Sequence, residues 1–116
     1  MSYKIHTKDA NSLIETIFTC VQNGKDSNGK EIKTWSIEET KNGVKRLVHT
    51  KENWAEIGNI GLSSNEENDI VIAEFNYWKK YNKEDRSGDE GKYYLGRFTE
   101  LMLVHFEGLY TKIEIE

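Results

Sequence analysis

Residues 32–50 read IKTWSIEETKNGVKRLVHT, two alternating runs on either side of Asn42-Gly43. That dipeptide readily takes positive φ at both central positions of a type I′ turn, so Ile32–Lys41 and Val44–Thr50 are predicted to form a β-hairpin. A two-residue turn sets Glu39 opposite Arg46 and Ile37 opposite Val48, which places Trp35, Ile37 and Val48 on one face.

Working towards the N-terminus, Gly24 to Lys30 is turn chemistry throughout and is expected to be an exposed loop. Before it, Leu13, Ile14, Ile17, Phe18 and Val21 recur at helical spacing, with Asp9 or Asn11 to cap the start and Gly24 to end it. The expectation is a helix over 10–22; the β-branched Ile14, Thr16, Ile17, Thr19 and Val21 leave a buried strand as the competing assignment. Tyr3 to Thr7 alternates as a short first strand.

Towards the C-terminus, Thr50 can cap a short helix over 51–57, with Gly58 closing it in a left-handed conformation. Asn59 to Leu62 and Ile70 to Trp78 form a second hairpin across a polar loop. Val71, Ala73, Phe75 and Tyr77 share one face of its second strand, whose first half has the two-sided apolar character of a central strand. Lys79 to Asp89 is charged and lacks a period. Ser87 and Glu90 have capping-box spacing, and a helix follows with Tyr94, Phe98, Leu101, Met102, His105 and Phe106 along its apolar stripe. Arg97 and Glu100 can pair on its surface, and Gly108 ends it. Leu109 to Glu116 alternates as a last strand, with Leu109, Thr111, Ile113 and Ile115 inward. Hairpins dominate and the longer helices lie near the two ends. The predicted fold is therefore α+β: a largely antiparallel sheet of about six strands, two longer helices packed on one face, and residues 1–116 in one domain.

Composition narrows the function classes. At 116 residues with 36% apolar residues, 31% charged residues and 13 aromatic rings, one core is expected. No apolar stretch approaches the roughly 20 residues of a membrane span, and the charged N-terminus does not resemble a signal peptide. Cys20 is the sole cysteine, which rules out an internal disulfide and suits a reducing cytoplasm. The lack of proline and the abundance of Lys, Asn, Ile and Glu point to an AT-rich bacterial or phage gene. Residues 1–51 carry a net +3 and residues 52–116 a net −7, a field that opposes phosphate and favours a basic partner.

Catalytic chemistry finds little purchase. His49 reads as a partly exposed strand residue and His105 as a core-edge residue donating to backbone. Cys20 lies in an apolar helix with no cation beside it to lower its pKa. Asp26-Ser27-Asn28-Gly29 has glycine at the wrong loop position for an EF-hand and lacks the closing Glu, so it is read as a turn, with no metal or cofactor implied. The aromatic-lysine run Trp78-Lys79-Lys80-Tyr81 resembles a single-strand nucleic-acid platform, but Glu84, Asp85, Asp89 and Glu90 cancel its charge. The candidate partner-binding residues are therefore acidic and aromatic: Glu66, Glu67 and Asp69 on one loop, and Trp78, Tyr81, Asp85, Asp89 and Glu90 on another, with Glu114 and Glu116 on the last strand. Converging in space, they would offer a basic protein both steering charge and aromatic anchors.

In overall character the chain resembles bacterial immunity proteins paired with contact-dependent growth-inhibition toxins. The features that carry the likeness are Trp35, Trp54 and Trp78 among charged hairpins and the run from Tyr94 to Leu101 in a late helix. The resemblance implies a protein that binds a toxin's C-terminal domain, often a basic nuclease, in the cytoplasm and blocks its active site or substrate access. The charge, the short apolar stretches and the lack of catalytic motifs add the expectation of no enzyme activity and no direct nucleic-acid or membrane binding. Two alternatives stay open: a phage-encoded inhibitor of a host defence nuclease, and a small ligand-binding or enzymatic domain with His49 or His105 beside a carboxylate in a pocket.

Overall fold

The computed structural model of the protein describes residues 2–115; Glu116, which the sequence places on the last strand, lies outside them. The elements are β1 (Ser2–His6), α1 (Ala10–Asn23), β2 (Trp35–Glu39), β3 (Lys45–His49), α2 (Trp54–Ile57), β4 (Gly58–Ser64), β5 (Ile70–Tyr77), α3 (Glu90–His105) and β6 (Lys112–Ile115), with a 3-10 turn at Lys83–Asp85 before α3. The fold is α+β, as expected. Six strands form one antiparallel sheet in the order β2-β3-β4-β5-β1-β6, and both longer helices pack on one face of it.

The segment over 10–23 is helical, not a strand, because its apolar residues repeat every three or four positions and its ends are capped. The Asp9 carboxylate accepts the Ser12 amide at the start, and Gly24 takes φ 73° at the end. Leu13, Ile17 and Val21 thereby meet Ile5, Val71 and Ala73 in a core that also takes in Trp35, Leu47 and Ile60. From α3 come Tyr94, Leu95, Phe98 and Met102, all at most 1% exposed. Full burial of such side chains is worth about 1.5–3 kcal/mol each. β5, flanked by β4 and β1, is the central strand its apolar first half suggests.

The first hairpin forms in a different register. Thr40 and Val44 close the turn, with the Thr40 amide on the Val44 carbonyl at 2.9 Å and the Val44 amide on the Thr40 hydroxyl at 3.2 Å. Of the loop residues Lys41, Asn42 and Gly43, only Gly43 has positive φ, 79°, which is a three-residue loop closed by a glycine bulge. The one-residue slip sets Glu39 opposite Lys45, Ile37 opposite Leu47, Ser36 opposite Val48 and Trp35 opposite His49. Leu47 therefore joins Trp35 and Ile37 on the helix side, and Val48 is carried to the other face.

Three further expectations change. The short helix begins at Trp54 with no side-chain cap, because the Thr50 amide extends the hairpin ladder to Thr34 O and the chain then turns through Glu52 at φ 56°. Gly58 is extended, not left-handed, since it enters β4 directly; a Cβ there would lie 2.5 Å from the Phe75 ring. β6 starts only at Lys112, and of the four residues expected inward only Ile113 is half-buried. Leu109 is 47% and Ile115 69% exposed, because Leu109 belongs to the turn after α3 and β6 is an edge strand.

Candidate functional site

The eight residues singled out on the two loops do not form one surface. Glu66, Glu67 and Asp69 precede Ile70, whereas Trp78, Tyr81, Asp85, Asp89 and Glu90 follow Tyr77. At about 3.3 Å per residue, β5 holds the two groups roughly 25 Å apart.

The group beyond Tyr77 is largely committed to the protein's own fold. Glu90 is buried at 6% exposure and is withdrawn from any partner. It accepts the Tyr77 hydroxyl at 2.7 Å and the Ser87 and Gly88 amides at 3.0 Å each. Burial alone would raise its pKa, but the Ser87 amide, the Tyr77 hydroxyl and the Gly88 amide outweigh that and hold it down to about 2. Burial and the facing Glu90 carboxylate push Tyr77 up to about 12. Trp78 is half-buried with its Nε1 donating to Ala55 O at 2.9 Å. Tyr81 stacks on Tyr77 with ring centroids 6.1 Å apart, and the Arg86 guanidinium sits 4.2 Å over the Tyr77 ring. Asp85 and Asp89 are exposed, as are Glu56 and Glu84, yet Lys79, Lys80, Lys83 and Lys92 are exposed around them, so the local charge cancels.

The loop before β5 is acidic and held in one shape. Asn65 Oδ1 accepts the Asp69 and Ile70 amides at 3.0 and 2.9 Å, and its Nδ2 donates to Asp69 Oδ1 at 2.6 Å. Asn68, at φ 57°, ties the loop to the start of α1. Its Oδ1 accepts the Asn11 amide and its Nδ2 donates to Asp9 Oδ1, both at 2.8 Å, while its carbonyl accepts the Ala10 amide at 2.9 Å. Glu66, Glu67 and Asp69 are exposed, Glu67 also accepting from Asn65 Nδ2 at 3.3 Å, and Asp9 joins them as a fourth exposed carboxylate. The Ser12 amide and the Asn68 side chain hold the Asp9 carboxyl below its usual range.

Beside this loop lies a cleft of about 280 Å³ between the start of α1 and the turn after α3, lined in part by Thr7, Asp9, Ser12, Thr16, Leu109 and Tyr110. Its lining mixes the hydroxyls of Thr7, Ser12 and Thr16 with the charged Lys8 and Asp9 and the apolar Leu13 and Leu109. Asp9 thus belongs to both the cleft and the acidic loop. Sequence reasoning singled out Glu66, Glu67 and Asp69 on this loop but neither the cleft nor the place of Asp9 beside it. The Asn-rich loop does carry turn chemistry, but the docking of Asn68 on a helix that starts 58 residues earlier has no local signature.

Two of the three histidines sit differently from expectation. His49 is not partly exposed but 2% exposed, because the hairpin register turns it towards the helices. It packs among the rings of Trp35 (5.1 Å), Tyr93 (5.8 Å) and Tyr94 (6.5 Å), its Nδ1 has no hydrogen-bond partner among the described residues, and burial lowers its pKa. His105 meets the Asp26 carboxylate, not a backbone group. His6 pairs with Glu114. Among the described residues, no three His, Cys, Asp or Glu side chains are grouped to hold a metal ion, and no helix is long and apolar enough to cross a membrane.

No protein-family model, curated protein or solved structure matches the chain.

Proposed function

We propose that the protein binds and neutralises a basic protein, in the manner of a cytoplasmic immunity protein holding a toxin domain, and that it does so through the acidic loop 65–69 and the adjoining cleft. The observation that carries this is the hydrogen-bonded loop: three exposed carboxylates, with Asp9 beside them, are presented on a backbone that Asn65 bonds to itself and Asn68 bonds to the start of α1. A loop ordered before binding loses little conformational entropy on docking. Its rim charges raise the association rate and make it sensitive to salt. The cleft, with Leu109 and Tyr110 beside the Thr7, Ser12 and Thr16 hydroxyls, supplies the concave anchor point that charge alone lacks. The buried free thiol of Cys20 suits a reducing compartment.

The test compares two charge reversals of equal size at the two ends of β5. Tagged wild-type chain, Glu66→Lys/Glu67→Lys and Glu84→Lys/Asp85→Lys are each expressed in the native host, and the proteins they retain are identified by mass spectrometry at low and moderate salt. A basic protein held by wild type and by the second variant, released by salt and held at least about tenfold less tightly by the first, is the expected outcome. Equal loss in both variants would reduce the effect to net charge, and unchanged capture by the first would overturn the assignment of this loop.

A further inference from the structure

The sheet has two edges, β2 and β6, and they differ in what a second copy of the chain would meet. An open edge presents unpaired N–H and C=O groups, which proteins ordinarily guard with proline, bulges or charge. β6 reads Lys112-Ile113-Glu114-Ile115, pairs with β1 on its inner side in unbroken register, and exposes the Lys112 and Glu114 side chains at 62% and 46%. Its charges alternate in sign on the face of the sheet away from the helices, where the Glu114 carboxylate already meets Lys112 at 3.6 Å and His6 of its own chain, with Ile113 between them on the helix side.

We propose that the chain pairs with a second copy of itself through the outer edge of β6, antiparallel about a two-fold axis through Ile113 and perpendicular to the sheet. That axis sets Ile113 against Ile113 of the other copy and Lys112 against the other copy's Glu114, twice by symmetry, so the charges that would guard the edge become complementary. It brings Ile115, 69% exposed in the monomer, opposite Thr111 of the other copy. The helices of both copies stay on one side of a continuous sheet. Moving the axis by one residue would set Lys112 against Lys112 or Glu114 against Glu114, losing both matches, and an axis between residues would oppose side chains of opposite faces, which antiparallel pairing does not allow. The other edge does not offer this fit: an axis through Ile37 sets the buried Trp35 against Glu39, and one through Glu38 opposes like charges. A four-residue strand buries less than a standard interface, so the dimer is a weak one in rapid exchange.

Sedimentation velocity on the full chain reads this directly. The expected result is a mass that rises from 13.5 kDa towards twice that value as concentration goes from about 10 µM to about 1 mM, the range a small interface requires. Lys112→Glu and Glu114→Lys each place like charges across the axis, and each is expected to weaken self-association by about tenfold or more. Mixed in equal amounts, the two variants restore both opposite-charge pairs and recover wild-type association as a heterodimer. Wild type remaining monomeric throughout, single variants associating as wild type does, or a mixture of folded variants staying monomeric would each overturn the proposal. Should Glu114→Lys unfold through loss of its contact with His6, Lys112→Glu alone decides: an undiminished dimer sinks the β6 edge, and a lost one supports it.

Discussion

The Asp26 carboxylate and the His105 imidazole are 79 positions apart in the chain and 2.8 Å apart in the fold, both almost fully buried. Through this contact the end of α3 holds the loop that follows α1. Asp26 Oδ1 meanwhile accepts the Asn28 and Lys30 amides at 2.9 and 2.8 Å, which closes the turn itself.

Removing the histidine is expected to release that loop. In His105→Ala, amide exchange at Asn28 and Lys30 should quicken by about tenfold while that of α1 stays unchanged, because only the local opening energy falls. The acid limb should change as well. The His105 hydrogen bond is the largest cause holding the Asp26 carboxyl below 3.8, so its contribution is present above that pH and fades as pH falls through the lowered value. A less steep loss of stability below about pH 4 in the variant, followed by circular dichroism, is the expected outcome; an unchanged curve and unchanged exchange would show that the contact holds nothing.

Glu90 gives a second acid-sensitive point, at the other end of β5. Its carboxyl titrates at about 2 against an ordinary 4.5, so the native state binds fewer protons than the unfolded chain between those values. Stability from this group is complete above pH 4.5 and is lost as pH falls towards 2. Glu90→Ala leaves the Ser87 and Gly88 amides and the Tyr77 hydroxyl without their acceptor, a cost of about 1–3 kcal/mol in urea unfolding at neutral pH. Near pH 2 the variant and wild type should converge; a constant gap across the range would place the loss in packing instead.

Two glycines in β4 provide a matched pair. A Cβ on Gly58 would lie 2.5 Å from the Phe75 ring and 2.6 Å from the Asn76 carbonyl, and neither group is free to yield. Gly58→Ala is therefore expected to cost about 1–3 kcal/mol. On Gly61 the clash, at 2.2 Å, is with the end of the flexible Arg46 side chain, which can swing into solvent, so Gly61→Ala should be within about 0.5 kcal/mol of wild type. Equal costs from chemical denaturation would contradict the assignment of backbone approach at Gly58.

Much of this architecture is legible in the residues alone, and the reason is local. Apolar spacing along 10–23 and 90–105, caps at Asp9 and Gly24, and turn chemistry at Asn42-Gly43 act over a few positions, so the order of elements and the α+β class follow from them. The hairpin register does not follow, since a two-residue and a three-residue turn differ by one hydrogen bond at Thr40. That one bond decides whether Val48 or Leu47 faces the core and whether His49 is buried.

What the sequence by itself determined is thus the set of elements, the antiparallel hairpins and the excess of carboxylates in the second half. Only the tertiary structure decided which carboxylates are available. β5 separates the acidic residues by its own length, Glu90 is drawn inside by three donors, and Asp9 is brought up to the 65–69 loop by Asn68. Each of these depends on groups far apart in the chain meeting in space. Such meetings are selected by burial and hydrogen-bond satisfaction across the whole fold and leave no period or motif along the strand that carries them.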